Sequence, residues 1–138
     1  MKEKIFSANS GYKFVMKISQ TPESKIPVCD CFIEDRGEKT KLGFGKVIDV
    51  ADRFLKVLNL SQEEINNAYA DPSKKGNTTL IKIFGSTSLA SCEYFGREIT
   101  IKWEDAHRRV LGQTILTESD KQKWIQGFEE LKKFFSNQ

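Results

Sequence analysis

The chain is short of the groups that carry chemistry. Among 138 residues it has one histidine, His107, and three cysteines, Cys29, Cys31 and Cys92. Histidine is the side chain that titrates nearest neutrality unaided, so a single copy removes many familiar acid–base mechanisms and leaves paired carboxylates as the main alternative. An odd cysteine count argues against a disulfide framework, and reduced thiols suit a reducing compartment. No P-loop, dinucleotide fingerprint or nucleophile-bearing motif occurs. Continuous apolar runs are too short for a membrane span. The stretch from Met1 to Ser7 places only Ile5 and Phe6 where a secretory signal needs a long apolar core, so a cytoplasmic location is expected. Charge of one sign is also scarce: 22 basic and 19 acidic side chains leave a net +3. That balance permits a local basic patch without demanding a polyanionic partner.

What is present is apolar payload. Hydrophobic residues make up 38% of the chain, with ten phenylalanines and two tryptophans, too much for a disordered segment and enough for one domain over residues 1–138 with its own core. Tyr12, Phe14, Met16 and Ile18 alternate with Lys13, Val15, Lys17 and Ser19, the two-residue period of a half-buried strand. After a turn at Thr21-Pro22-Glu23-Ser24, residues 26–34 read as a second strand, with Cys29, Cys31 and Ile33 on one face. Asp35-Arg36-Gly37-Glu38 is a hairpin tip, and residues 39–44 return as a third strand.

From Lys46 the period becomes helical. Val47, Ile48, Ala51, Phe54, Leu55 and Leu58 share one face. Ser61-Gln62-Glu63-Glu64 fits a capping box opening a short second helix that ends before Pro72. Residues 71–77 are the most loop-like stretch and the expected mobile segment. Strands follow over residues 78–84, 92–95, 98–103 and 109–117, the last two joined by a turn through Glu104-Asp105-Ala106-His107-Arg108. A final helix begins near Thr117 or Ser119, with Trp124, Phe128, Leu131 and Phe135 as its buried stripe and Ile125 alongside. The expected class is α+β: a mostly antiparallel sheet of about five to seven strands, two central helices and an amphipathic C-terminal helix.

Candidate sites are few. Cys29, Cys31, Cys92 and His107 make a zinc-like donor set, but Cys-x-Cys on alternate strand positions is not the usual knuckle, and buried cysteines act as small hydrophobes. Gly43-Phe44-Gly45-Lys46 before a helix reads as a tight turn in preference to an anion cradle. Lys102, His107, Arg108 and Arg109 cluster at one hairpin near Trp103, with Lys74-Lys75 on the loop; cations interleaved with exposed rings suit single-stranded nucleic acid. Glu104 and Asp105 dilute that charge, and alternation with Ile99 and Ile101 places Trp103 in the core. The acidic pairs read as caps and solvated faces. No metal, cofactor or catalytic group is expected.

The closing segment Leu116-Thr-Glu-Ser-Asp-Lys-Gln-Lys-Trp124-Ile-Gln-Gly-Phe128-Glu-Glu-Leu131-Lys-Lys-Phe134-Phe135, with the size and class of the chain, resembles bacterial immunity proteins that neutralise contact-dependent or polymorphic toxins. The resemblance implies a cytosolic, non-enzymatic protein that binds one toxin tightly. One departure is charge: inhibitors of basic nucleases are often acidic, whereas this chain is slightly basic, which implies an acidic or neutral target or contact through a local acidic patch. The expected activity is recognition of another protein, through Asp35, Arg36 and Glu38 at one turn and Glu104, Asp105, His107, Arg108 and Arg109 at another. The alternative is a nucleic-acid-binding accessory module of a phage or mobile element that uses the basic hairpin. No membrane partner is expected.

Overall fold

Alternating patterns along the described residues become two antiparallel sheets packed with the helices Val47–Leu58 and Glu118–Ser136. A computed structural model describes residues 2–20, 25–60, 63–64, 79–84, 88–95, 98–105, 107 and 109–136, with only the backbone of 79–84, 88, 89, 91, 94 and 95. The strands are β1 (Glu3–Phe6), β2 (Ser10–Gly11), β3 (Lys13–Ser19), β4 (Val28–Asp35), β5 (Glu38–Lys46), β6 (Thr79–Phe84), β7 (Ser88–Phe95), β8 (Glu98–Glu104) and β9 (Val110–Leu116). Helix α1 spans Val47–Leu58 and helix α2 spans Glu118–Ser136. One sheet has the order β1-β3-β4-β5 and the other β2-β9-β8-β7-β6.

The α+β class is as expected, with two departures. The strands form two sheets where one was expected, and the described residues hold nine strands, of which β2 has only two residues. Periodicity reports which residues face inward but carries no information on which strands pair. Strand β1 escaped notice because Lys4 sits at an inward position beside Phe6; its ammonium is satisfied by Glu130 of α2 at 3.0 Å. The short helix after Ser61 and the loop at 71–77 lie outside the described residues, apart from Glu63 and Glu64, which are helical.

Inward-facing residues of both sheets and both helices meet in one buried cluster. From the first sheet come Phe6, Phe14, Met16, Ile18, Cys29, Cys31 and Ile33, and from the second Ala90, Cys92, Ile99, Ile101, Trp103 and Leu116. Phe14 of β3 stacks on Trp103 of β8 with centroids 5.3 Å apart and planes 5° from parallel. Phe54 of α1 stacks on Phe128 of α2 at 4.7 Å, and Phe128 on Phe6 at 4.1 Å. Offset rings at these separations contribute about 0.5–1.5 kcal/mol each beyond their burial. The two sheets join where β2 runs beside β9. There the Trp103 indole donates to Thr114 Oγ1 at 2.9 Å, and the Thr114 hydroxyl donates to the Tyr12 carbonyl at 2.7 Å.

Helix ends are closed by main chain and by acid. The Val47 amide at the start of α1 donates to the Pro27 carbonyl at 3.1 Å, so Lys46 supplies no side-chain cap. At α2 the Asp120 amide donates to Thr117 Oγ1 at 3.1 Å while the Thr117 amide donates to Asp120 Oδ2 at 3.2 Å, a reciprocal capping box. The Asn9 amide also reaches Asp120 Oδ2, at 3.3 Å, which ties the β1–β2 loop to the helix start. None of the helices among the described residues is long and apolar enough to cross a membrane.

Gly127 shows how tightly α2 seats on β1. A Cβ added there would lie 2.7 Å from Phe6 Cε1. Glycine inside a helix costs about 0.5–1 kcal/mol relative to alanine, whereas overpacking a filled core costs about 1–3 kcal/mol. Gly127→Ala is therefore expected to destabilise the fold by about 1 kcal/mol net, despite its higher helix propensity. Urea unfolding checks this, and shortening Phe6 to Leu in the same background should recover part of the loss.

Candidate functional site

The β4–β5 hairpin turns through Arg36 and Gly37, whose φ angles are 53° and 84°. Two consecutive left-handed residues make the turn whose twist matches that of its flanking strands. Gly37 adopts this freely, but Arg36 pays for its Cβ, and Asp35, Arg36 and Glu38 are all exposed.

The β8–β9 turn is organised by Asp105. Its Oδ1 accepts from the amides of His107 at 2.8 Å and Arg109 at 2.9 Å, and its Oδ2 accepts from Arg109 Nε at 3.1 Å. The Asp105 amide donates back to the Arg109 carbonyl at 3.0 Å. These bonds, the Arg109 amide foremost, hold the Asp105 carboxyl below its ordinary range. His107 and Arg109 are exposed, Glu104 is half-buried, and Arg108 lies outside the described residues. Much of the basic character expected of this hairpin is spent locally: Arg109 pairs with Asp105, and Lys102 pairs with Glu93 at 2.9 Å. The two turns belong to different sheets.

The zinc-like set does not assemble. Cys29 and Cys31 face the core side by side, with sulfurs 3.7 Å apart, while Cys92 is buried in the other sheet and His107 is exposed on its turn. The Cys29 thiol donates to the Gly45 carbonyl at 3.5 Å. The hydrogen bond with Cys29, and then burial, push the Cys31 thiol far above its usual range, and burial pushes Cys92 up to about 12. Thiols held protonated are poor nucleophiles and poor ligands. Among the described residues no group of three or more His, Cys, Asp or Glu side chains is placed to hold a metal ion. Gly43 and Gly45 lie within β5, so this stretch is strand with a bulge opposite Cys31 and Phe32, in place of the expected tight turn.

A surface that sequence reasoning passed over is the outer face of the first sheet. Pairing aligns Ile5, Val15, Phe32 and Lys41 in one rung across the four strands, and Glu3, Lys17, Asp30 and Phe44 in the next. Phe44 is 72% exposed. Lys17 holds its ammonium 5.4 Å from the Phe32 ring centroid, and Lys41 pairs with Asp30 at 3.5 Å. Lys13, Glu34 and Lys39 form a third rung beside the Arg36 turn. The signal was present in the alternation itself, since Val15 and Phe32 sit on what should have been the purely polar face.

No family model matches the chain, and no curated protein matches it.

The lowered Asp105 carboxyl fixes a pH response. A depressed folded value means that the contribution of the carboxylate is complete above the usual carboxylate range, about 3.9, and is lost as pH falls through the lowered value. A carbon-detected NMR titration should place the Asp105 midpoint below that range. The amides of His107 and Arg109 should lose exchange protection over the same window, with the rest of the second sheet unchanged. A midpoint at or above the ordinary value would contradict the hydrogen bonds described.

Proposed function

We propose that this chain is a non-catalytic binding protein that recognises another protein through the outer face of the β1-β3-β4-β5 sheet and the adjoining Asp35–Glu38 turn. The observation that carries the reading is Phe44, a large aromatic side chain 72% exposed near the end of β5, just past its bulge and paired with Asp30. Water-exposed rings on a rigid sheet are costly to leave uncovered and are the side chains from which interface hot spots are built. Phe32 on the neighbouring strand extends the apolar surface. Lys13, Lys17, Lys39 and Lys41 border it beside Glu3, Asp30 and Glu34, and with Asp35, Arg36 and Glu38 of the turn the two signs balance, which favours a partner whose contact surface carries both. A toxin-neutralising role, as the resemblance to immunity proteins implies, is the particular form proposed: tight, cytosolic, and acting by occlusion.

The nucleic-acid reading ranks second, because Lys102 and Arg109 of its hairpin are engaged with Glu93 and Asp105. The test is a titration of the purified chain against the purified product of the adjacent gene, in parallel with a single-stranded oligonucleotide. Nanomolar, weakly salt-dependent binding to the protein is expected. Phe32→Ala with Phe44→Ala should weaken it at least tenfold without moving the melting temperature. Binding to the oligonucleotide alone with a steep salt dependence, or protein affinity indifferent to both phenylalanines, would defeat the proposal.

A further inference from the structure

We propose that the outer edge of β1, with the basic groove between it and α2, accepts an extended acidic segment of another protein as an added strand. Strand β1 ends the order of its sheet, and among the described residues no strand lies beyond it. The Ile18 amide donates to the Lys2 carbonyl at 2.8 Å, and the register that sets Glu3 opposite Lys17 sets Lys2 opposite Ile18. Hydrogen-bonded and non-bonded pairs alternate in an antiparallel ladder, so the amides and carbonyls of Glu3 and Ile5 point away from β3.

Helix α2 runs antiparallel to β1 over its inner face: Trp124 reaches Ser7, Gly127 rests on Phe6 and Glu130 binds Lys4. A groove of about 370 Å³ follows the edge between strand and helix. Its charge is mostly of one sign. Lys4 and Lys123 line it, and Lys2 follows Lys4 on the same side of the strand. Glu130 is the acid of the lining, and its oxygens are already engaged, Oε2 by Lys4 at 3.0 Å and Oε1 by Gln126 at 3.4 Å. Lys2 and Lys123 are exposed and have no ionic partner among the described residues. Phe134, 44% exposed, lies about two turns beyond Gly127 and so on the same stripe of α2.

A segment paired antiparallel to β1 meets each of these features. Its residue opposite Ile5 exchanges both main-chain hydrogen bonds with Ile5 and stands beside that side chain on the outer face. Ile5 is 48% exposed and continues the apolar rung of Val15 and Phe32. Alternate side chains of the segment enter the groove, where acidic groups answer Lys123 and Lys2 and an apolar one covers Phe134. Lysines along an edge bar neutral strands, and the same charge selects an acidic one. A nucleic-acid phosphate chain would answer the lysines but supplies no N–H to the carbonyls of Glu3 and Ile5. A second copy fits poorly, because a twofold axis beside Ile5 runs alongside Phe128 and sets Lys123 against Lys133 of that copy. The site adjoins the Phe44 face and does not depend on it.

The probe is a capped peptide that alternates valine with aspartate and ends in phenylalanine, titrated into isotope-labelled protein beside a counterpart with lysine for aspartate. The aspartate peptide should bind with micromolar affinity and shift the amides of Glu3, Ile5 and Ser7, whereas the lysine peptide should leave them in place. Ile5→Pro deletes an amide that points away from β3, so the fold keeps its β1–β3 bonds while binding is lost. Lys123→Glu, at an exposed helix position, should weaken the aspartate peptide about tenfold and decides the matter if the proline variant fails to fold. Phe44→Ala should leave the peptide affinity unchanged, which separates this site from the face proposed above. Failure of the aspartate peptide to bind, equal binding of both peptides, or an affinity indifferent to Ile5→Pro and Lys123→Glu would overturn the proposal. So would a single-stranded oligonucleotide that shifts the same amides, or self-association of wild type that Ile5→Pro abolishes.

Discussion

The structure depends on the stack of Phe14 against Trp103. These rings come from different sheets, and their parallel contact at 5.3 Å is where the two sheets are pressed together inside the core. Phe54 leans on both, at 5.0 Å and 6.1 Å, and carries the contact on to Phe128 and so to Phe6. Each ring is held from a different strand or helix, so displacing one disturbs partners on every layer. Beside the stack the Trp103 indole, the Thr114 hydroxyl and the Tyr12 carbonyl form a buried relay in which each donor has an acceptor. Removing the middle member would strand the indole proton in the core, a penalty of about 1–3 kcal/mol. The relay therefore fixes the angle at which the stack forms, while the rings supply most of the energy.

Element type was largely legible in the residues, and pairing was not. Phe14, Met16 and Ile18 alternate as a strand must, and Trp124, Phe128, Leu131 and Phe135 recur as a helix must; both sets are buried as their periods require. Strand β1 was hidden because an edge strand tolerates a charge at an inward position when a helix supplies its counter-ion, as Glu130 does for Lys4. The division into two sheets was hidden because it turns on the short stretch Ser10–Gly11 beside β9, where Gly11 takes a φ of 96° that other residues rarely adopt. The capping box of α2 lay in plain view as Thr117-Glu-Ser-Asp120, yet only the fold explains why Asp120 is buried: it serves the β1–β2 loop as well as the helix.

The candidate site was less legible, for a physical reason. Exposed turns rich in charge invite attention, but their polar groups satisfy one another, as Asp105 does for His107 and Arg109. An apolar side chain on a nominally polar face has no such local outlet. Phe44 and Phe32 are such side chains, and the register sets them on one face with Val15 and Ile5. The buried thiols illustrate the converse. Cys29 and Cys31 stand close enough to suggest chemistry, yet both are buried, and the same environment holds the Cys31 thiol protonated.

If the Phe14–Trp103 stack couples the sheets, they must open as one unit. Native-state hydrogen exchange measures this directly. The slowest amides of β3 and β4 should share a single opening free energy with those of β8 and β9, equal to that of global unfolding, and Phe14→Leu should lower all of them together. Amides of β8 and β9 that exchange through a separate, smaller opening while β3 and β4 stay protected would show that the sheets stand independently.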